Sequence, residues 1–105
     1  MTLGKKKKIL IFIISYKASY RVKDVFKKIP FKKLTKYQVH TLISDDKSGD
    51  DTFEYIKKIK IKNKNVFINL NKKNLGYGKH IKKCLVFALK KKFDNAVMIH
   101  GDGQY

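Results

Sequence analysis

Residues 9–16 form an apolar run rich in β-branched side chains, Ile-Leu-Ile-Phe-Ile-Ile closing on Ser-Tyr. A run this short and this continuous predicts a strand covered on both faces of a parallel sheet. Beyond it the apolar period turns helical. Val22, Val25, Phe26 and Ile29 share one face, so a helix is expected with Ser19 as its N-cap and Pro30 as its stop. Residues 37–44 read as a second strand and residues 45–50 as a polar loop. Asp51 and Thr52 open a second helix, their acidic end suiting the helix dipole, and Phe53, Ile56 and Ile59 form its apolar stripe. A third strand is expected at residues 66–70, then a loop rich in Asn and Gly at residues 71–78. A third helix follows to about residue 92 with Ile81, Leu85, Ala88 and Leu89 toward the core. Residues 96–99 complete a fourth strand, and a Gly-rich loop closes the chain.

The order β-α-β-α-β-α-β with short connections predicts the α/β class: a Rossmann-like, mostly parallel sheet of about four strands with right-handed crossovers. The 105 residues suit one domain, residues 1–105, without repeat or linker. A half-sheet ending at its fourth strand leaves an edge uncovered. The domain is therefore expected to be truncated at its C-terminus and inactive in catalysis by itself.

The formal net charge of +18 draws a chain toward nucleic acid or an anionic surface. Arg21 is the one arginine, however, and arginine is the side chain suited to bidentate reading of phosphates and bases. The excess is lysine, in a chain rich in Ile and Asn and poor in Ala, which is the mark of an AT-rich coding sequence. Most of these lysines are expected to be solvated surface. Cys84 stands alone, so no internal disulfide forms, and its apolar helical surroundings predict burial. Lys5 to Lys8 ahead of the apolar run resemble the start of a signal peptide. The run is short, though, Lys17 soon interrupts it, and no small-x-small cleavage pattern is present. No segment is long enough to span a membrane.

Ligands of open parallel sheets bind beyond the carboxyl ends of the strands. Of the eight acidic residues, Asp45, Asp46, Asp50 and Asp51 follow the second strand and Asp102 follows the fourth. Five of eight acids therefore gather at the expected ligand side of a lysine-rich chain. Carboxylates so placed hold a hard cation or accept hydrogen bonds from a ligand. Capping of the second helix accounts for at least one of Asp50 and Asp51, and turn formation is an alternative for Asp45, Asp46 and Asp102. His40 and His80 have no partner pattern and read as structural or surface residues.

Four segments then resemble one family, in order. Asp45-Asp46-Lys47-Ser48-Gly49-Asp50-Asp51-Thr52 is similar to the DD-x-S-x-D-x-T loop after the second strand of family 2 (GT-A type) glycosyltransferases. Ile13-Ile14-Ser15-Tyr16 resembles the end of that family's first strand, and Asn74-Leu75-Gly76-Tyr77-Gly78 its N-x-G-x-G segment. His100-Gly101-Asp102-Gly103-Gln104 resembles the D-x-D-x-Q metal motif of the polyprenyl-phosphate sugar transferases. The resemblance covers nearly the whole chain and the first half of that family's catalytic domain.

It implies a GT-A half-domain that binds a nucleotide-diphosphate sugar and a divalent metal, Mg²⁺ or Mn²⁺, for sugar transfer to a lipid-phosphate (polyprenyl phosphate) or glycan acceptor. Asp46 would hydrogen-bond the base, Ser15 and Tyr16 would line the base pocket, and Asp45 would support the loop and the nucleotide. Gly76 and Gly78 would allow close backbone approach at a helix N-terminus, with a tight turn as the alternative reading of both. Asp102 would ligate the metal with support from Gln104. His100 stands where the family has its first acid: either Asp102 holds the metal alone with water and phosphate, or His100 is a further ligand and the preference shifts toward Mn²⁺, and a plain strand-end histidine is the third alternative. The general base and the acceptor region of the family lie beyond Tyr105, so no catalytic residue is nominated. The implied location is cytoplasmic, at the cytoplasmic face of the membrane, with peripheral contact to anionic lipid and no specific nucleic-acid partner.

The alternative is a basic nucleic-acid- or anionic-surface-binding α/β module without catalysis. It accounts for the charge but not for the carboxylates, which repel phosphate in the absence of a metal. Other Rossmann-like readings lack their motifs. No G-x-G-x-x-G follows the first strand, Gly78-Lys79 lacks the rest of a P-loop, and Asp45–Asp51 lacks EF-hand spacing.

Overall fold

The structure, a computed structural model, describes residues 5–103. Four strands form one sheet: β1 (Lys8–Ser15), β2 (Gln38–Asp45), β3 (Val66–Leu70) and β4 (Asn95–His100). All are parallel, in the order β3-β2-β1-β4. Helices α1 (Arg21–Lys27), α2 (Thr52–Lys62) and α3 (Tyr77–Lys90) connect them, with a short 3₁₀ turn at Phe31–Lys33 after α1. The chain is thus α/β, with the sheet and alternating helices of a Rossmann-like half-domain.

Two layers of side chains follow from the two-residue period of β1. Ile11 and Ile13 join Val22 and Val25 of α1, Ile43 of β2 and Ile56 and Ile59 of α2 in one buried cluster. Leu10, Phe12 and Ile14 join Leu42 of β2 and Cys84 and Ala88 of α3 in the other. Both faces of β1 are therefore covered, as its unbroken apolar run requires. Burial of a side chain such as Phe12 or Leu10 stabilises by about 1.5–3 kcal/mol. The chain steps outward from β1 to β3 through α1 and α2, then returns past β1 to β4 through α3. Right-handed crossovers in opposite directions place their helices on opposite faces. That reversal opens a crevice at the carboxyl ends of β1 and β4.

Three expectations are corrected. Ser19 does not cap α1. Its φ is +53°, the helix begins at Arg21 after Tyr20, and no side chain caps it. The helix also stops at Lys27 rather than reaching Ile29, which is nonetheless buried. On α3 the buried stripe is His80, Cys84 and Ala88, spaced i, i+4, i+8, with Ile81 partly buried beside it. Leu85 and Leu89 lie outside it, at 43% and 76% exposure. The apolar arc of α3 is broader than the strip of sheet beneath it, so the arc alone did not fix which side faces inward. Among the described residues, no helix is long and apolar enough to cross a membrane.

The rotation of α3 gives a direct expectation. Leu89→Gln should change unfolding free energy by less than about 0.5 kcal/mol, as exposed substitutions do. Leu10→Ala, fully buried, should cost roughly 2–5 kcal/mol. Chemical denaturation of both variants checks the assignment, and a large loss at Leu89 would place that side chain in the core.

Candidate functional site

The loops at the carboxyl end of the sheet carry backbone N–H groups that the strand ladders no longer satisfy, and buried ones need an acceptor. The acids of the β2–α2 loop supply it. Asp45, almost fully buried, accepts from the Ser48 N–H (2.9 Å) and the Ser48 hydroxyl (2.6 Å). Ser48 Oγ in turn accepts from the Lys17 N–H at 2.6 Å. Asp50 repeats the device two residues before its hydroxyl. It accepts from the Thr52 N–H and hydroxyl, and Thr52 Oγ1 accepts from the Ser19 N–H at 2.9 Å.

Two carboxylate–hydroxyl relays thus tie the β2–α2 loop to the β1–α1 loop. The tied residues, Lys17 and Ser19, have φ of +52° and +53°, a left-handed conformation that costs a non-glycine residue on the order of 1 kcal/mol or more. Each relay hydrogen bond returns about 0.5–1.5 kcal/mol. The guanidinium of Arg21 adds bonds to the Lys17 and Ala18 carbonyls, both at 3.1 Å. The single arginine is therefore engaged within this loop. Asp51 stands at the N-cap of α2 with no side-chain cap bond, so the capping expected of one of the pair falls to Asp50.

Asp46 organises the third loop. Its Oδ1 accepts from Asn71 Nδ2 (2.9 Å) and the Leu75 N–H (2.7 Å), and its Oδ2 from the Gly76 N–H (2.9 Å). The Asp46 carbonyl takes Asn74 Nδ2 at 3.1 Å, and its N–H donates to the Ser15 carbonyl at 2.9 Å. A carboxylate offers about four acceptor sites, so about one remains for a ligand. Burial by itself would raise the Asp46 pKa. The bonds from Leu75, Asn71 and Gly76, with the nearby His80, outweigh it and hold the carboxyl below its ordinary range.

Gly76 precedes α3 with φ +83° and ψ 164°, a region nearly restricted to glycine. Gly78 lies inside the first turn of α3 with open space where a Cβ would sit. The two glycines of the motif therefore differ: the first is demanded by the backbone and the second is not.

The structure brings Tyr16, Asp46 and Gly76 together around a cavity of about 460 Å³, shared with Ile14, Asn74, Tyr77 and His80. In a chain with so many lysines, none of those among the described residues lines it. Ser15, the next residue along β1, points to the other face, fully buried, with no hydrogen-bond partner for its hydroxyl among the described residues. There Gly101 presses on it. A Cβ on Gly101 would meet the Ile14 carbonyl at 3.0 Å and Ser15 Cβ at 3.1 Å.

His100 ends β4 with its ring parallel to Tyr77, 5.6 Å between centroids, and its Nε2 is 3.3 Å from the Tyr77 hydroxyl. Asp102, partly buried, follows in the turn after β4. Gln104 lies outside the described residues. Among the described residues, no three His, Cys, Asp or Glu side chains come together as a metal cage. A single carboxylate such as Asp102 would leave an ion to be held mostly by phosphate and water, as Mg²⁺ commonly is, while an imidazole ligand would suit Mn²⁺ better.

His80 was legible only as a bare histidine. It is buried, and its Nε2 shares a 2.7 Å hydrogen bond with Ser44 Oγ, donor and acceptor depending on the tautomer. Ser44 Oγ also accepts from Asn69 Nδ2 at 2.9 Å, and Asn69 donates to Asn71. Desolvation lowers the His80 pKa, against the pull of Asp46 and Asp45. Ser48 and Thr52 could have been found from spacing, since a hydroxyl two or three residues after Asp often closes such a turn. Nothing local announces Asn71 or Gly101. Cys84 is buried as expected, and burial pushes its thiol up to about 11, which leaves it an unreactive packing residue.

Two sets of outcomes are expected. The folded chain binds protons at His80 and His40 less readily than the ordinary 6.5, through burial in both cases. The unfolded chain then takes up more protons, so this stability is complete above pH 6.5 and declines below it. Asp46, depressed from 3.8, contributes stability above that pH that is lost as pH falls through its folded value. Thermal midpoints should therefore drop in two stages on acidification, and His80→Gln should flatten the first. Asp46→Asn should weaken the second stage and cost about 2 kcal/mol at neutral pH, the range for hydrogen bonds to a charged group. Gly76→Ala should cost roughly 1–3 kcal/mol, while Gly78→Ala should be neutral or stabilise by up to about 1 kcal/mol. Equal losses at the two glycines, by denaturant titration, would contradict this geometry.

No family model matches the chain, and no curated protein matches it.

Proposed function

We infer that the cavity at the carboxyl end of the sheet receives the nucleoside of a nucleotide-diphosphate sugar, in a domain of the family 2 glycosyltransferase type. The observation that carries this is the composition of the cavity at the point where the chain reverses direction. It offers a carboxylate with about one open acceptor site, the exposed side of Asn74, two tyrosines and an apolar strip from Ile14. A lysine-free lining of this kind suits a neutral, flat, hydrogen-bonding group such as a nucleobase better than a bare anion.

The roles divide accordingly. Tyr16, half exposed, stacks on the base. Asp46 accepts from a base N–H while its other hydrogen bonds keep the Asn71–Gly76 loop folded beneath it. Asp45 acts through Ser48, holding the loop in place. The diphosphate runs toward β4, where Asp102, with Gln104 and His100 as further candidate ligands, would hold Mg²⁺ or Mn²⁺. Such an ion, when bound, neutralises charge on the departing nucleoside diphosphate. Sugar transfer to a lipid-phosphate or glycan acceptor is the activity this reading implies.

Titration calorimetry with nucleoside diphosphates in the presence of Mn²⁺ tests it. One base should bind measurably, and Tyr16→Ala should weaken it by tenfold or more, since stacking on one aromatic side chain is worth about 1–3 kcal/mol. The variant should unfold at an unchanged denaturant midpoint. Absence of binding for every base, or full affinity in Tyr16→Ala, would sink the assignment.

A further inference from the structure

A second concavity lies on the outer face of the α1–α2 layer, and nothing in the nucleotide reading uses it. A groove of about 490 Å³ runs between the helices with Phe26, Tyr55 and Ile59 as its floor. Lys23 and Lys27 wall it from α1, and Lys58 and Lys62 from α2. At Phe26 and Asn63 it meets a neighbouring hollow of about 320 Å³, lined also by Phe31, Thr41 and Lys64. Among the described residues, no acidic side chain lines either. The Thr41 hydroxyl, fully buried, has no hydrogen-bond partner among the described residues.

Each helix places its two lysines at i and i+4, where like charges are mutually destabilising, and the two pairs face one groove. Bound anions would relieve that repulsion. Apolar side chains stand at the same end of the layer: Ile61 is 82% exposed and Phe31 is 38% exposed. Lysines surrounding protruding apolar groups are what a surface resting on anionic lipid presents. A single-stranded nucleic acid is held by a row of aromatic platforms on which successive bases stack, whereas the most exposed apolar side chain on this face is aliphatic, Ile61.

We propose that the α1–α2 face is a docking surface for an anionic lipid bilayer, with Lys23, Lys27, Lys58 and Lys62 meeting headgroups and Ile61 and Phe31 entering the interface. The hollow ends at Val39, Asn63 and Asn65, beside the amino ends of β2 and β3. The carboxyl end of the sheet therefore stays open to ligands while this face rests on the membrane. The proposal is independent of the nucleotide reading, and either can fail alone.

The test is co-sedimentation with vesicles of phosphatidylcholine, with and without phosphatidylglycerol. Wild type should bind the mixed vesicles and not the neutral ones. Each lysine near an anionic surface contributes about fivefold in binding. Changing Lys23, Lys27, Lys58 and Lys62 together to Gln should thus lower partitioning by roughly 600-fold. A control with Lys73, Lys79, Lys82 and Lys90 changed to Gln carries the same net charge and should lose less than tenfold. Ile61→Ser should weaken binding further at raised salt. All of these side chains are exposed, so circular dichroism should show unchanged folds. Equal losses in the two quadruple variants would show attraction by net charge alone and overturn the proposal. So would binding by wild type of a single-stranded oligonucleotide, but not vesicles, through the same four lysines.

Discussion

The loops at the carboxyl end of the sheet depend on carboxylates that accept backbone N–H groups. A parallel sheet leaves its carboxyl end to loops whose donors lack ladder partners, and burying such donors unpaired costs more than a hydrogen bond returns. Asp45, Asp46 and Asp50 meet that demand, directly or through Ser48 and Thr52. The left-handed turns at Lys17 and Ser19, the course of the Asn71–Gly76 loop and the start of α3 all follow from it.

The same network gives the proposed site its character. A carboxylate already bonded to two loop N–H groups and an amide is rigid and ionised at neutral pH. It presents its remaining acceptor in a fixed direction, the pre-organisation that binding requires. The cost is that structure and recognition share one residue. Any change at Asp46 moves both, whereas Tyr16 can be altered without touching the loops. The Tyr77–His100 stack links this cavity to the end of β4, where the metal-binding candidates stand.

Charge is distributed unevenly around this frame. Acids concentrate at one end of the sheet, and lysines line the groove between α1 and α2 with no acid among them. In a chain of net charge +18, the groove flanked by four lysines is a place where positive charge concentrates.

The sequence by itself determined the elements and their order. Unbroken apolar runs marked strands covered on both faces, and the helical period of Phe53, Ile56 and Ile59 marked α2. The acids that follow the second strand marked a loop whose Asp46 lines the cavity with Tyr16 and Gly76. These signals are local, carried by neighbours within a few positions. It did not determine which stripe of α3 faces inward, because Leu85 and Leu89 are as apolar as the buried Cys84 and Ala88 and only the width of the sheet decides among them. Nor did it show that Ser19 would be held left-handed, that His80 would bond to Ser44, or that Asp46 would be occupied by Leu75 and Gly76. Those partners lie 29 to 36 residues apart. They meet only once the strands are in register, so the tertiary structure alone settled them.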